Sequence, residues 1–176
     1  QNPIKLPTDL KQFILLPANA RRRYQALIDY FPRFIESSDE SPFNEYIDGS
    51  DKSKGIIASG IAYNYLMENY PDRIVPNPVL KIGQYPLPYK KMKKIAEECD
   101  SLLILEEGFP FIEEMLRGYL NASFKIHGRL DGTITKAGEL TPNKVARALG
   151  FETGESKQIA SVVEARPPSL CKGCPH

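Results

Sequence analysis

The strongest chemical signal in this sequence is a pair of cysteines two residues apart, in Cys171-Lys172-Gly173-Cys174-Pro175-His176. A Cys-x-x-Cys brings two thiolates to one metal, as zinc and iron–sulfur sites require. A structural centre takes four protein ligands, so Cys171 and Cys174 read as half a metal site. Pro175 separates Cys174 from His176, so this is not the haem-attachment signature. A thioredoxin-like redox pair would open a helix inside a βαβ unit, and this pair lacks that context.

Other residues carry weaker signals. Ser59-Gly60 falls at a strand-to-helix turn, where backbone N–H groups attract anions and open α/β sheets bind ligands. It matches no dinucleotide or phosphate-loop pattern, and a plain tight turn is the commoner reading. Glu106 and Glu107 follow the most apolar strand and have the chemistry of an acid–base pair or a cation site. Successive residues leaving a strand point in opposite directions, so a structural role is favoured. Glu107 precedes a helix start, where negative charge is favourable. Arg21, Arg22 and Arg23 suit a phosphate or carboxylate clamp, but a solvated helix face is the commoner explanation. Asn19 is read as the cap of that helix. Cys99 sits on an apolar helix face and is expected to be a small buried hydrophobe. His127, with no Cys or carboxylate at ligand spacing, is expected to be a satisfied structural histidine.

These residues need a scaffold, and 176 residues with 41% hydrophobic content are enough for one domain with short tails. Lys plus Arg is 23 against 22 for Asp plus Glu, so the net charge is +1. That balance argues against nucleic-acid and membrane-surface binding, which need a gathered basic excess. No apolar run approaches the ~18 residues of a membrane span. Three cysteines are too few for a disulfide framework, and no signal peptide is evident, so a reducing cytoplasm is the expected compartment. The sequence opens at Gln1 without an initiator Met and closes on half a metal site. It is therefore expected to be a piece of a larger protein.

Residues 1–53 are expected to form a connector with one amphipathic helix. Ala20, Tyr24, Leu27, Ile28, Phe31 and Ile35 recur at helical spacing, and Pro32 predicts an end or kink. Ser37 to Lys54 reads as a solvated linker. From residue 54 strands and helices alternate. Strands are predicted at Gly55–Ala58, Val79–Ile82 and Leu102–Leu105, the last of them central, with an edge strand at Phe124–His127. The helix after Gly60 places Ile61, Tyr65 and Leu66 on one side. The helix over Tyr89–Glu98 buries Met92, Ile95, Ala96 and Cys99. The next starts at Pro110 with Phe111, Met115, Leu116 and Tyr119 as its stripe. Thr141-Pro142 is an N-cap and N1 pair, with Val145, Ala148 and Leu149 inward. The alternation predicts an α/β three-layer sandwich with a mostly parallel sheet over residues 54–150.

An ordered set of motifs then points to a family. The set begins with Leu16-Pro17-Ala18-Asn19-Ala20-Arg21-Arg22-Arg23, then Gly55-Ile56-Ile57-Ala58-Ser59-Gly60-Ile61-Ala62-Tyr63. Leu80-Lys81-Ile82-Gly83 and Tyr85-Pro86-Leu87-Pro88 follow, then Leu105-Glu106-Glu107 and Gly138-Glu139-Leu140-Thr141-Pro142. It closes with Arg166-Pro167-Pro168-Ser169-Leu170 and the terminal Cys171 to His176. In this order they resemble the middle of the large (alpha) subunit of indolepyruvate:ferredoxin oxidoreductases. The resemblance implies a transketolase C-terminal-like domain at 54–150, with 151–176 leading into a thiamine-diphosphate-binding domain. It implies an enzyme that oxidatively decarboxylates aryl 2-oxo acids with coenzyme A and reduces ferredoxin. The implied cofactors are thiamine diphosphate with magnesium and [4Fe-4S] clusters, and the implied partner is a beta subunit.

The family's thiamine-activating Glu, its Gly-Asp-Gly motif and its cysteine-rich tail are not in this sequence. Lys172 stands where the family pattern has Pro. The chain alone is expected to be inactive, with no catalytic residue of its own and no complete cofactor. Candidate cofactor-binding residues are Ser59, Gly60 and His176, and candidate metal ligands are Cys171 and Cys174. The competing reading is a stand-alone small-ligand or regulatory module, with an anion at Ser59-Gly60 and zinc at Cys171, Cys174 and His176.

Overall fold

The computed structural model describes residues 5, 7–11 and 13–154, so Cys171, Cys174 and His176 lie outside the described residues. In chain order the elements are α1 (Pro17–Glu40), β1 (Glu45–Ile47), β2 (Gly55–Ser59), α2 (Ile61–Glu68) and β3 (Val79–Ile82). They continue with α3 (Tyr89–Glu98), β4 (Ser101–Leu105), α4 (Phe111–Tyr119), β5 (Lys125–His127) and α5 (Pro142–Leu149). The five strands form one sheet in the order β1-β3-β2-β4-β5, parallel except for β1.

The register follows from apolar runs buried on both faces. Ile57 pairs with Leu80 on one side and Ile104 on the other, and Leu102 pairs with Ile126. Alternation sends Ile57, Leu80, Ile82, Leu102 and Ile104 to one face, where Met92 and Ile95 of α3 and Ile112 and Leu116 of α4 cover them. Ile56, Ala58, Val79, Leu103 and Leu105 face the other way, under Ala62 and Leu66 of α2 and Val145 of α5. The result is the expected three-layer α/β sandwich. Cys99 lies in the first of these clusters, as expected, and burial pushes its thiol pKa up. Gly55 is required there: a Cβ would lie 2.8 Å from both Ile95 Cγ1 and Leu102 Cδ2. Thr141 caps α5, its hydroxyl accepting from the Lys144 amide at 3.3 Å, with Pro142 in the first turn.

Several expectations are corrected. Helix α1 does not end near Pro32 but runs to Glu40. Pro32 removes one backbone bond, and tertiary contacts hold the turns beyond it. Ser38 Oγ donates to the Pro86 carbonyl, and Asp39 Oδ1 accepts from the Lys90 amide at 2.9 Å, at the start of α3. Residues 37–54 are not a solvated linker. Ser38, Asp39, Ser41 and Asn44 are buried, and β1 pairs antiparallel with β3, so the folded unit begins before residue 54. The polarity of this stretch is used inside the fold.

Asn19 does not cap α1, whose N-cap is Leu16; the Asn19 amide donates to the Ile14 carbonyl at 3.4 Å. In α4 the buried side chains are Ile112, Glu113 and Leu116, while Phe111, Met115 and Tyr119 are exposed. The rotation of α4 is set by hydrogen bonds at its first turn, described below. Phe111 and Tyr119 meet Tyr85 and Tyr89 at ring separations of 6.0 and 5.5 Å. In α2, Ala62, Leu66 and Met67 turn inward and leave Ile61 exposed. In α5 the second buried residue is Ala146, with Ala148 and Leu149 half-buried at the margin.

Candidate functional site

The connections from β2 run first to β3 through α2, then from β3 back past β2 to β4 through α3. The helices of these two crossovers lie on opposite faces. The carboxyl ends of β2 and β4 therefore flank the switch point, where open α/β sheets bind ligands. Ser59-Gly60 ends β2 and Glu106-Glu107 follows β4.

At the first of these, Gly60 has φ +55° and nothing within 4 Å of a built Cβ. The turn is open, and α2 begins without a side-chain cap.

The second is closed by side chains. Glu106 and Glu107 diverge, as strand geometry requires. Glu106 is buried and accepts from the Ile112 and Glu113 amides at 2.8 and 3.0 Å. It is thus Glu106, not Glu107, that occupies the start of α4. Burial pushes its carboxyl above the ordinary range, assisted by neighbouring Glu113 and opposed by those two amides and Arg129. Glu107 turns the other way, to the Leu140 amide at 3.1 and 3.0 Å.

Two residues that sequence reasoning passed over complete this edge. Glu113 is 1% exposed and accepts from the Arg129 and Leu130 amides at 2.7 and 3.0 Å and from Arg117 Nη2 at 2.8 Å. Arg129 is 2% exposed; its Nε donates to the Glu106 carbonyl at 3.2 Å and its Nη1 to the Thr135 carbonyl at 2.8 Å. Its Nη2 has no hydrogen-bond acceptor and lies 4.0 Å from Glu107 Oε1. The chemistry of this edge is that of a polar clamp, which ties the ends of β4 and β5 to α4. The available signal was a Glu between Ile112 and Leu116, on the side of α4 that the strand order would bury.

His127 does have a carboxylate partner, correcting the sequence reading, since Nδ1 lies 2.8 Å from Asp131 Oδ2. Burial raises the Asp131 carboxyl, but the Gly128 and Thr133 amides, His127 and the Thr133 hydroxyl outweigh it and hold it at about 2. A folded-state value below the ordinary 3.8 adds stability that is full above that value and lost as pH falls towards 2. After discounting for solvent screening, we expect about 1–2 kcal/mol from this residue. Glu106 acts in the opposite sense, its raised value making stability fall as pH rises past the ordinary carboxylate range. The difference between wild type and Asp131→Asn in urea melts from pH 2 to 6 isolates the Asp131 part. It should vanish near pH 2 and grow to a plateau above pH 4; a pH-independent difference would reject the assignment.

Elsewhere, Arg21, Arg22 and Arg23 lie on exposed turns of α1. Beside them, Tyr24, Leu27, Ile28 and Phe31 are 47–66% exposed and line an apolar groove with Pro32. Among the described residues, no three His, Cys, Asp or Glu side chains converge as metal ligands.

No family model matches the chain. Among curated proteins it is 32% identical, over 96% of its own length, to the indolepyruvate oxidoreductase subunit IorA of Methanothermobacter thermautotrophicus. The corresponding subunits of Pyrococcus abyssi and Thermococcus kodakarensis are 32% and 30% identical over 94% and 98% of the chain. The chain is related to a segment of IorA. It spans 28–29% of the length of these relatives. Among solved structures, a 2-oxoglutarate:ferredoxin oxidoreductase from Magnetococcus marinus, with 2-oxoglutarate, coenzyme A and succinyl-CoA bound, is similar at a TM-score of 0.52. That match covers 77% of this chain and 23% of the other at 14% identity, and it establishes a shared fold. The polar clamp occupies one side of the switch point with structural hydrogen bonds.

Proposed function

We propose that this chain is a non-catalytic structural and interface segment of an indolepyruvate:ferredoxin oxidoreductase. The similarity of 94–98% of its length to one segment of IorA carries the reading. The exposed apolar face of α1 supports it, because independent modules rarely leave such a face bare. In this proposal the whole enzyme decarboxylates aryl 2-oxo acids oxidatively, transfers the acyl group to coenzyme A and passes the electrons to ferredoxin. A beta subunit completes it, and its compartment is the cytoplasm. No helix among the described residues is long and apolar enough to cross a membrane.

Thiamine diphosphate, magnesium and iron–sulfur clusters belong to the whole enzyme in this reading. The described residues do not fit a cluster: Cys99 is buried with a raised thiol pKa, and no ligand set converges on it. Residues 151–176 lead into a thiamine-binding domain, with Cys171 and Cys174 as half of a cluster site and His176 beside them. Ser59 and Gly60 remain the cofactor-facing candidates on the sheet edge.

The test is anaerobic viologen reduction by the full-length protein carrying this segment, with its small subunit, thiamine diphosphate, coenzyme A and indolepyruvate. Turnover by that assembly but not by the 176-residue chain is the expected result. An assembly with intact clusters that fails to reduce viologen with any 2-oxo acid would overturn the reading.

A further inference from the structure

Asp39 is 7% exposed and only half satisfied. Its Oδ1 accepts from the Lys90 amide at 2.9 Å, whereas its Oδ2 has no hydrogen-bond partner among the described residues. A buried carboxylate oxygen without a donor is costly, and native folds supply one. Asp39 lines a cavity of about 230 Å³ with Pro32, Arg33, Ile35, Glu36 and Lys90. The two cations there leave Oδ2 unmet. The Arg33 guanidinium stacks over Tyr30, 5.3 Å from the ring centre, and Lys90 bonds Asp39 through its backbone amide.

This cavity continues the apolar face of α1. Tyr24, Ile28, Phe31, Ile35 and Asp39 recur at intervals of 4, 3, 4 and 4 residues, which places them within an arc of about 80° around the helix. Pro32 lines both the cavity and the neighbouring groove of about 380 Å³, whose other walls are Tyr24, Leu27, Ile28 and Phe31. Asp39 therefore ends an apolar row, about 16 Å along the axis from Ile28.

The row defines the chemistry of what covers it. A purely apolar strip would seal Oδ2 from water without giving it a donor. An occupant with apolar side chains and a cationic N–H donor beyond them satisfies both parts, because a charged donor is the strongest partner for a carboxylate oxygen. A polypeptide source is at hand, since this chain spans only 28–29% of the length of the relatives it matches.

We propose that the apolar row of α1 and the Asp39 cavity form one docking site for a segment of the same polypeptide outside these 176 residues. That segment is apolar over about three helical turns and ends in a Lys or Arg whose head group bonds Asp39 Oδ2. The proposal rests on the interface reading above and deepens it by naming the chemistry of the partner.

The test compares hydrogen–deuterium exchange across residues 24–40 in the full-length protein and in the 176-residue chain. Exchange at least about tenfold slower in the full-length protein is expected. Asp39→Asn should abolish most of that slowing. In the 176-residue chain it should change the folding constant less than about threefold, because Asn keeps an acceptor for the Lys90 amide and removes an unpartnered charge. Ile28→Ser, at an exposed position, should likewise abolish the slowing and leave the 176-residue chain folded. Equal exchange in the two proteins overturns the proposal. So does an Asp39→Asn penalty of the same size in both, which would mean that cavity water or Lys90 serves Oδ2. Slowing that needs the small subunit, or that grows with the concentration of the 176-residue chain, assigns the face to another polypeptide and also ends it. Viologen reduction by the same full-length preparation keeps the readings apart: turnover with indolepyruvate but no slowing at α1 removes only this inference.

Discussion

Glu113→Ala should destabilise the chain by about 3–5 kcal/mol, the largest effect expected from any polar position described. The carboxylate is 1% exposed and accepts two backbone amides, of Arg129 and Leu130, together with the Arg117 guanidinium. Alanine fits a helix well, so the loss comes from the stranded donors, not from helix propensity. For a unit of this size the melting temperature should fall by roughly 10 °C. Urea denaturation followed by circular dichroism reads it directly, and a loss below about 1 kcal/mol would show that the clamp is dispensable.

A double-mutant cycle with Gly128 sharpens the point. A Cβ there would lie 2.5 Å from Glu113 Oε2 and 2.8 Å from its carboxyl carbon. Gly128→Ala should therefore be costly alone and nearly neutral once residue 113 is alanine. Additive effects would mean that the clash lies elsewhere.

Asn44→Ala is expected to remove about 2–4 kcal/mol, by a separate route. The side chain is 0% exposed and makes five hydrogen bonds. Its Nδ2 donates to the Ser38 carbonyl at 2.9 Å, the Ser38 hydroxyl at 2.8 Å and the Gln84 carbonyl at 3.0 Å. Its Oδ1 accepts from the amides of Gly83 and Gln84, both at 2.9 Å. One side chain thus joins the end of α1, the start of β1 and the turn after β3. Removing it should loosen α1 before the sheet melts, so limited proteolysis should cut within residues 37–54 well below the global transition. Cleavage that waits for global unfolding would argue that β1 pairing alone holds this region.

These two side chains also mark where sequence reasoning stopped. The strand–helix alternation, the apolar stripe of α3, the edge strand β5 and the Thr141-Pro142 cap were all legible, because each depends on local periodicity or on hydrogen bonds within a few residues. The burial of Cys99 followed from the same spacing. The stretch from Ser37 to Lys54 was not legible: Ser, Asp, Glu and Asn look alike whether their partners are water or distant backbone. Asn44 finds Gln84 forty residues away, and that pairing exists only after β1 has docked on β3.

The same limit governs the candidate site. Sequence by itself determined that Glu106 and Glu107 sit at a strand end and diverge, and that Ser59-Gly60 turns a strand into a helix. The ordered motifs also pointed to the oxidoreductase segment that the IorA relatives bear out. Only the tertiary structure decided that Glu106 caps α4, that Arg129 and Glu113 close the edge, and that α1 continues past Pro32 with a bare apolar face. The physical reason is one of range. Helical and strand patterns are written in neighbours, whereas a buried charge is stable only where partners from several elements converge, and that convergence is a property of the folded chain.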